Sequence, residues 1–563
     1  MKRILVFGSC VILSCGVFQS TSRGGWTDGK AAVSVLGQPD FTSGSENQGL
    51  ALPTAATISG CEGVALDPSS GKLFVVDTDN HRVLRYSSAA ALTTGAGAEA
   101  AFGNVSLTAP GPGGNGRGQL FFPAGITVDS GGRLWVADNL NNRVLMYENA
   151  ASAPSGALAD GLLGAATFGS NPSGNGSGQM DQPQDVAVDA AGRLWVADWQ
   201  NHRVLRFDNA VADAIANADD AGQNLALADA VLGQAGFDLS EVNRNNATPV
   251  RNGMREPFKL EIDDSGNLWV TDARNSRVLY FVDPGSKANG ADADGLLGQA
   301  NFTTALLGAQ PSRFWGPRGL AIDSRGALWV TEEFNHRTVR FENAASAALA
   351  NAADPAGNVA LPQGVLGQAD FVSNLQSSSA SGMISPYDIE TSPYGDVWVA
   401  QRGNVNGGNR VSRHVPDADS YRVDGTVGRS IGTQRGNQVH NTSGAGQTLS
   451  FISRNRKKVF IHGAVGNDGE YGDDFRVTSP RGTRLFRVAI FSTSLGKRNI
   501  TGAARTGSVE AGVLPGQSRR LLTEVTPTAA TRDKVRRWNQ TVAMTSVRGG
   551  NLDRVKASVK TTR

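Results

Sequence analysis

The segment NHRVLRF at Asn201–Phe207 is one copy of a unit that recurs six times. A repeat of this kind restricts a chain to folds made by setting one supersecondary unit beside its copies. The copies read GVALDPSSGKLFVVDTDNHRVLRY from Gly63, GITVDSGGRLWVADNLNNRVLMY from Gly125, DVAVDAAGRLWVADWQNHRVLRF from Asp185, KLEIDDSGNLWVTDARNSRVLYF from Lys259, GLAIDSRGALWVTEEFNHRTVRF from Gly319 and a degraded DIETSPYGDVWVAQRGNVNGGNRVSRH from Asp388.

Within each copy, three short apolar-polar alternations separated by Asp/Gly or Asn turn signals mark half-buried antiparallel strands. A fourth run completes the unit: VLGQPDF at Val35, LLGAATF at Leu162, VLGQAGF at Val231, LLGQANF at Leu296, VLGQADF at Val365 and a weaker AFGNVSL at Ala101. Four strands about every 60 to 75 residues is the pattern of propeller blades. The chain begins with a lone fourth strand, Val35–Phe41, and its last blade stops at the third strand, near Arg410–His414. The N-terminal strand is therefore expected to close the ring by pairing an otherwise open edge. The fold class expected is all-β: a six-bladed β-propeller over 30–416, then a β-sandwich.

The NHR turns at Asn80, Asn201 and Asn335, with the strand and Arg pattern around them, resemble the NHL repeat family over roughly Val33–His414. The resemblance implies the propeller. It says less about function, because this fold carries scaffolds, protein and nucleic-acid binders, and some metal-dependent lyases and lactonases.

Lys2 and Arg3 precede an apolar stretch, Ile4–Phe18, followed by small and polar residues through Ser22. This reads as a signal peptide over 1–22, too short for a spanning helix of about 20 apolar residues. Cleavage after Ser22 or Gly16 fits; ILSC ending at Cys15 also resembles a lipoprotein processing site, which would tether the chain to a membrane through a lipid on Cys15. Either route implies a secreted or cell-envelope location. Beyond Cys10 and Cys15 only Cys61 remains, so there is no disulfide framework and stability must come from packed sheets.

The blade pattern ends near Asp417, and 417–563 holds 25 Lys and Arg against 11 Asp and Glu, near +14 in a chain whose total is +2. The rest is therefore near −12. Alternating runs such as KKVFIHGAV at Lys457, RLFRVAIF at Arg484, RRLLTEVTP at Arg519 and QTVAMTSV at Gln540 suggest strands. Their order, with NDGEYGDDF at Asn467 and a terminal DRVKASVK, resembles immunoglobulin-like sandwich modules of bacterial secreted proteins. Its charge suits a solvated partner for the acidic propeller, or adhesion to anionic envelope polymers. Nucleic acid is not expected, since no aromatic-interleaved basic stripe accompanies the charge.

The chain has no GxSxG elbow, HExxH, zinc-spaced Cys pair or GxxxxGK loop. The Gly-rich runs from Gly111 and Gly169 lack a strand-to-helix context and read as inter-blade loops. His81, His202 and His336 hold one repeat position on separate blades, so they cannot meet at one metal; a turn role is expected. Asp67, Asp129, Asp189, Asp263 and Asp323 end the first strand as turn formers. Arg82, Arg143, Arg203, Arg277, Arg337 and Arg410 are expected to bond backbone or Asp groups. Trp135, Trp195, Trp269, Trp329 and Trp398 share one strand position and read as packing.

A ligand site is expected where the repeats differ, at the entrance to each innermost strand. There Pro123, Pro183, Pro257, Pro317 and Pro386 precede varied chemistry: Glu62, Gln184 with Asp185, Phe258 with Lys259, Arg318, and Tyr387 with Asp388. These eight are the candidate ligand-binding residues, and no catalytic residue is assigned. Glu62, Asp185 and Asp388 offer carboxylates for a calcium ion, as in lactonase-like propellers; Lys259 and Arg318 alternatively neutralise them or bind an anion. The function expected is a monomeric extracytoplasmic scaffold whose propeller binds a protein or glycan partner, without a cofactor. The alternative is a calcium-dependent hydrolase or lyase acting in the channel.

Overall fold

The computed structural model describes residues 25–417 except 112, 220–224, 354–358 and 404–406, and beyond them only the backbones of strands between 423 and 562. It starts with β1 (Ser34–Leu36). Blade 1 holds β2 (Val64–Leu66), β3 (Lys72–Asp77), β4 (Arg82–Ser88) and β5 (Ala100–Phe102). Blade 2 holds β6 (Pro123–Val128), β7 (Leu134–Asp138), β8 (Arg143–Tyr147) and β9 (Gly161–Leu163). Blade 3 holds β10 (Pro183–Val188), β11 (Leu194–Asp198), β12 (Arg203–Phe207) and β13 (Ala230–Leu232). Blade 4 holds β14 (Pro257–Ile262), β15 (Leu268–Asp272), β16 (Arg277–Phe281) and β17 (Gly295–Leu297). Blade 5 holds β18 (Pro317–Ile322), β19 (Leu328–Glu332), β20 (Arg337–Phe341) and β21 (Gly364–Leu366). Blade 6 holds β22 (Pro386–Thr391), β23 (Val397–Gln401) and β24 (Arg410–His414), and takes β1 as its fourth strand.

The ring closes as the sequence order requires. β1 pairs antiparallel with β24, with Ser34 opposite Arg413 and Leu36 opposite Val411. The seal continues outward: Val33 N–H donates to the Arg413 carbonyl at 2.7 Å and Asp417 N–H to that of Gly25 at 2.7 Å. The paired strand is three residues long rather than the seven of Val35–Phe41, because Gly37 turns the chain away at φ +83°.

Blades 1 to 5 are each locked by a buried ion pair that the repeat encodes as Asp-x-x-Asn-x-Arg, with Glu for Asp in blade 5. Arg82, Arg143, Arg203 and Arg277 donate through Nε to Asp77, Asp138, Asp198 and Asp272 at 2.7 Å, and Arg337 to Glu332 at 2.6 Å. Their remaining donors reach backbone carbonyls; Arg203, for example, bonds those of Asn175, Gly176 and Gln179. In blade 6 the pair is neutralised, Arg410 donating to Gln401. Fully buried guanidinium groups persist only with such complete hydrogen bonding.

The residue before each Arg is left-handed, from His81 at φ +55° to His336 at φ +49°. Where that residue is His or Asn, its side chain latches the next blade. Nδ1 of His81, His202 and His336 accepts the N–H of Phe122, Glu256 and Ser385 at 3.2 Å, and Asn142 Oδ1 accepts that of Gln182 at 2.9 Å. The turn role of these histidines therefore holds, and its partner is the residue before the next innermost strand.

The five tryptophans are buried and pack between blades: Trp135 joins Val186, Val196 and Leu205 of blade 3, and Trp398 joins Val64 and Val75 of blade 1. Truncating one to Ala is worth about 3–5 kcal/mol. Cys61 is buried and free. The Ala-rich inter-blade loops carry two helices, α1 (Ala210–Asp219) and α2 (Ala344–Ala353). Among the described residues no helix is long and apolar enough to cross a membrane. Between 423 and 562 the described strands pair in two five-stranded sheets. The immunoglobulin-like sandwich expected for 417–563, its side chains and turns, and the signal peptide expected for 1–22 lie outside the described residues.

Candidate functional site

Six innermost strands line the channel, and their successive positions set its chemistry level by level. The residue at the entrance is Glu62, Ala124, Gln184, Phe258, Arg318 or Tyr387; the next is Gly63, Gly125, Asp185, Lys259, Gly319 or Asp388. Because neighbours on a strand point to opposite faces, these residues do not form one ring. They form a mouth and, below it, a neck.

At the neck, Lys259 bridges two blades. Its ammonium lies 3.4 Å from Asp185 Oδ1 and 3.0 Å from Asp388 Oδ2. All three side chains are nearly or fully buried. Each carboxylate also ties its blade to the next, Asp185 accepting the Leu260 N–H and Asp388 the Val64 N–H, both at 2.9 Å. Glycine at 125 and 319 makes this possible, since a Cβ on Gly125 would lie 2.0 Å from Asp185 Oδ1 and one on Gly319 2.7 Å from Asp388 Cα. Burial, reinforced for Asp185 by Asp388, pushes both carboxyls above the ordinary range against the pull of Lys259. Burial alone would lower the Lys259 ammonium, but the two aspartates hold it well above its usual value. Asp388 Oδ1 is buried without a hydrogen-bond partner.

Glu62 is not part of this cluster. It sits at the mouth, ion-paired with Arg402 and accepting from Gln184 Nε2 at 3.0 Å. Among the described residues no group of three or more His, Cys, Asp or Glu side chains is set to hold a metal ion. Lys259 occupies the space between Asp185 and Asp388 that a calcium ion would need, so the donor set does not fit that ion with the lysine in place.

The mouth opens into a cavity of about 310 Å³. Its aromatic lining includes Phe258 and Tyr387, 5.6 Å apart edge to face, together with Phe122 and Trp199. The Arg318 guanidinium stacks 4.2 Å from the Phe258 ring centre and 5.1 Å from that of Tyr387, held there by Glu333 at 2.7 Å. Arg402 lies 5.5 Å from the Tyr387 ring and Arg274 completes the cationic lining. Tyr387 donates to Glu333 at 3.4 Å, and burial pushes its hydroxyl up to about 12. The Trp199 Nε1–H is buried with no acceptor. Beyond the neck a second cavity of about 410 Å³ holds Glu261 and Glu390. Burial raises both, Glu390 to about 7; the neighbouring Glu390 pushes Glu261 further up, and Asp388 does the same to Glu390.

The repeat itself is recognised independently: residues 59–86, 122–147 and 180–207 match the NHL repeat. The chain carries NHL repeats. No curated protein sequence matches it. Among solved structures, a protein of unknown function from Bacteroides thetaiotaomicron is 14% identical, with 68% of this chain and 74% of that chain covered and a TM-score of 0.41. A virginiamycin B lyase from Staphylococcus aureus is 12% identical over 63% of this chain and 84% of its own, TM-score 0.32. A gluconolactonase from Xanthomonas campestris is 14% identical over 63% and 86%, TM-score 0.34. At this overlap nothing about the site is carried over from them.

Five of the eight residues expected at the NHL propeller's mouth line its cavity: Glu62, Gln184, Phe258, Arg318 and Tyr387. Asp185, Lys259 and Asp388 form the neck below. Arg318 does not neutralise the aspartates but pairs with Glu333. Sequence reading missed Trp199, Arg274, Glu333 and Arg402. Their signal was present, because each falls in the two-residue slot after the second strand's last residue, an Asp, Glu or Gln, and before the Asn, in DWQN, DARN, EEFN and QRGN. That slot shares a rim with the strand entrances, since the antiparallel register sets Pro183 opposite Asp198 and Pro257 opposite Asp272.

Proposed function

We propose that this chain is an extracytoplasmic interaction protein whose NHL propeller binds a protein or glycan partner at the mouth cavity, with the basic 417–563 segment as a spacer or envelope-adhesion module. One observation carries the reading. The neck and mouth carboxylates are each compensated by a cation of the same chain, Lys259 or Arg402, while the cavity above them presents guanidinium groups and aromatic rings. Concave sites with aromatic walls and a few convergent polar groups are binding sites by design. Glycan and protein arrays probed with the full chain are expected to give a partner whose retention is lost on Arg318→Ala. No partner on any array would sink the reading.

The second reading, a calcium-dependent hydrolase or lyase, requires Lys259 to leave the space between the aspartates, and its support is Asp388 Oδ1, a buried carboxylate oxygen without a partner. Metal analysis with thermal melts in calcium and in chelator decides between them. The binding reading expects no bound ion and an unchanged melting temperature. One calcium per chain, lost in Asp388→Asn, would transfer the protein to the enzyme reading and justify assays on lactones and esters.

A further inference from the structure

We infer that the partner is an acidic glycan, a segment of uronate-bearing polysaccharide, bound across the mouth cavity and a groove beside it. The inference rests on the interaction reading above and gives its ligand a chemical class. The groove, about 220 Å³, is lined by Arg255, Arg274, Arg318, Leu307, Trp315 and Phe334, and shares Arg274 and Arg318 with the mouth. Together the two spaces are lined by four guanidinium groups and one carboxylate, Glu62. Glu256 and Glu333 hold Arg274 and Arg318 from outside the lining, at 2.8 and 2.7 Å.

Arg255 is exposed and has no carboxylate partner among the described residues. Arg274 uses one donor on Glu256 and keeps its others, with its side chain 53% exposed. Two planar guanidinium groups on one rim suit bidentate capture of carboxylates. Trp315 and Phe334, 5.8 Å apart, are each over a third exposed, an unusual state for a pair of large aromatics on a chain whose other tryptophans at repeat positions are buried. Flat exposed rings beside hydrogen-bond donors suit the faces of pyranose rings.

The balance of donors and acceptors separates a glycan from an acidic peptide. The lining offers many donors in its four arginines, Arg255 having no carboxylate partner among the described residues and Arg274 keeping donors beyond the one on Glu256. Its free acceptors are few, since Glu62 already serves Arg402 and Gln184. A peptide brings an N–H at nearly every residue and would leave them unmet, at a cost. A uronate chain brings carboxylate and ring oxygens, which only accept, and hydroxyls, which rotate to accept from an arginine or to donate to water.

The test is calorimetric titration of the full chain with tetragalacturonate, and with cellotetraose and tetraglutamate as uncharged-sugar and acidic-peptide controls. Tetragalacturonate is expected to bind at least about tenfold more tightly than either control, as loss of one charge-assisted bond would give, and to weaken with added salt. Arg255→Ala with Arg274→Ala is expected to weaken it at least tenfold at an unchanged melting temperature, and Trp315→Ala to do the same without altering the salt dependence. Equal or tighter binding of cellotetraose or tetraglutamate overturns the inference in favour of a neutral glycan or a peptide. No binding of any of the three, with a partner still found on the arrays, overturns the acidic-glycan assignment and leaves the interaction reading standing. No partner on the arrays either removes both.

Discussion

Replacing Lys259 with Met keeps an unbranched apolar stem out to Cε and removes the ammonium that Asp185 and Asp388 share. Both carboxylates are buried, 1% and 2% exposed, and lie 3.4 and 3.0 Å from it. Deleting one partner of a buried pair costs about 3–5 kcal/mol because a charge is left uncompensated. The roughly 390 residues of the propeller carry an unfolding entropy of about 0.8 kcal/mol/K at the per-residue average. A loss of about 4 kcal/mol therefore lowers the melting temperature by about 5 °C. The loss depends on pH with a definite sign. Without the lysine the folded-state pKa values of the aspartates, already raised by burial, rise further above their unfolded values. Protonation then favours the folded chain, so the deficit is largest at pH 8 and shrinks towards pH 5. Adding Asp185→Asn and Asp388→Asn recovers most of it, because the amide oxygens still accept the Leu260 and Val64 N–H groups. Scanning fluorimetry of the three proteins at pH 5 and 8 measures this. A fall below 1 °C at pH 8, or the same fall at both pH values, would refute the reasoning.

Arg203→Met removes a fully buried guanidinium from Asp198 and should cost about 3–5 kcal/mol; denaturant titration should show it, whereas the same change at exposed Arg255 should be neutral within about 0.5 kcal/mol. His202→Asn should be silent at pH 7.5, since Asn142 makes the same latch in blade 2. Burial lowers the His202 pKa below 6.5, so its contribution is lost as pH falls below that value. The Asn variant should therefore lose less melting temperature than the parent between pH 7.5 and 5, and an equal loss would remove the latch argument. Glu390→Gln should stabilise at pH 8, where a carboxyl raised from 4.5 to about 7 is forced to ionise in the channel wall, by about 3 kcal/mol at one pK unit per 1.36 kcal/mol. The folded pKa lies above the unfolded one, so the gain should vanish by about pH 5; a gain independent of pH would refute the assignment.

What the sequence determined by itself is everything the repeat expresses. Six copies with a constant Arg, five of them with an Asp or Glu and an Asn at fixed spacing before it, specify six blades, the buried ion pairs and the left-handed turn residues. The lone strand before the first copy specifies closure on β24. These are local patterns, and repetition makes them legible, because each copy solves the same packing problem and a residue kept in all six has a scaffold role. The mouth residues Glu62, Gln184, Phe258, Arg318 and Tyr387 were legible for the opposite reason, as variation at one fixed place.

Only the tertiary structure decided which of them meet. Whether Asp185 faces a metal or Lys259 depends on which blade face each side chain takes and on the room left by Gly125 and Gly319, both set by neighbours about 60 to 130 residues away in the chain. The pairing of Glu62 with Arg402, the stacking of Arg318 between Phe258 and Tyr387, and the donor-rich groove at Trp315 join residues from different blades. No periodicity within a single repeat encodes such contacts, because the ring brings together at its axis residues that the chain keeps one blade or more apart.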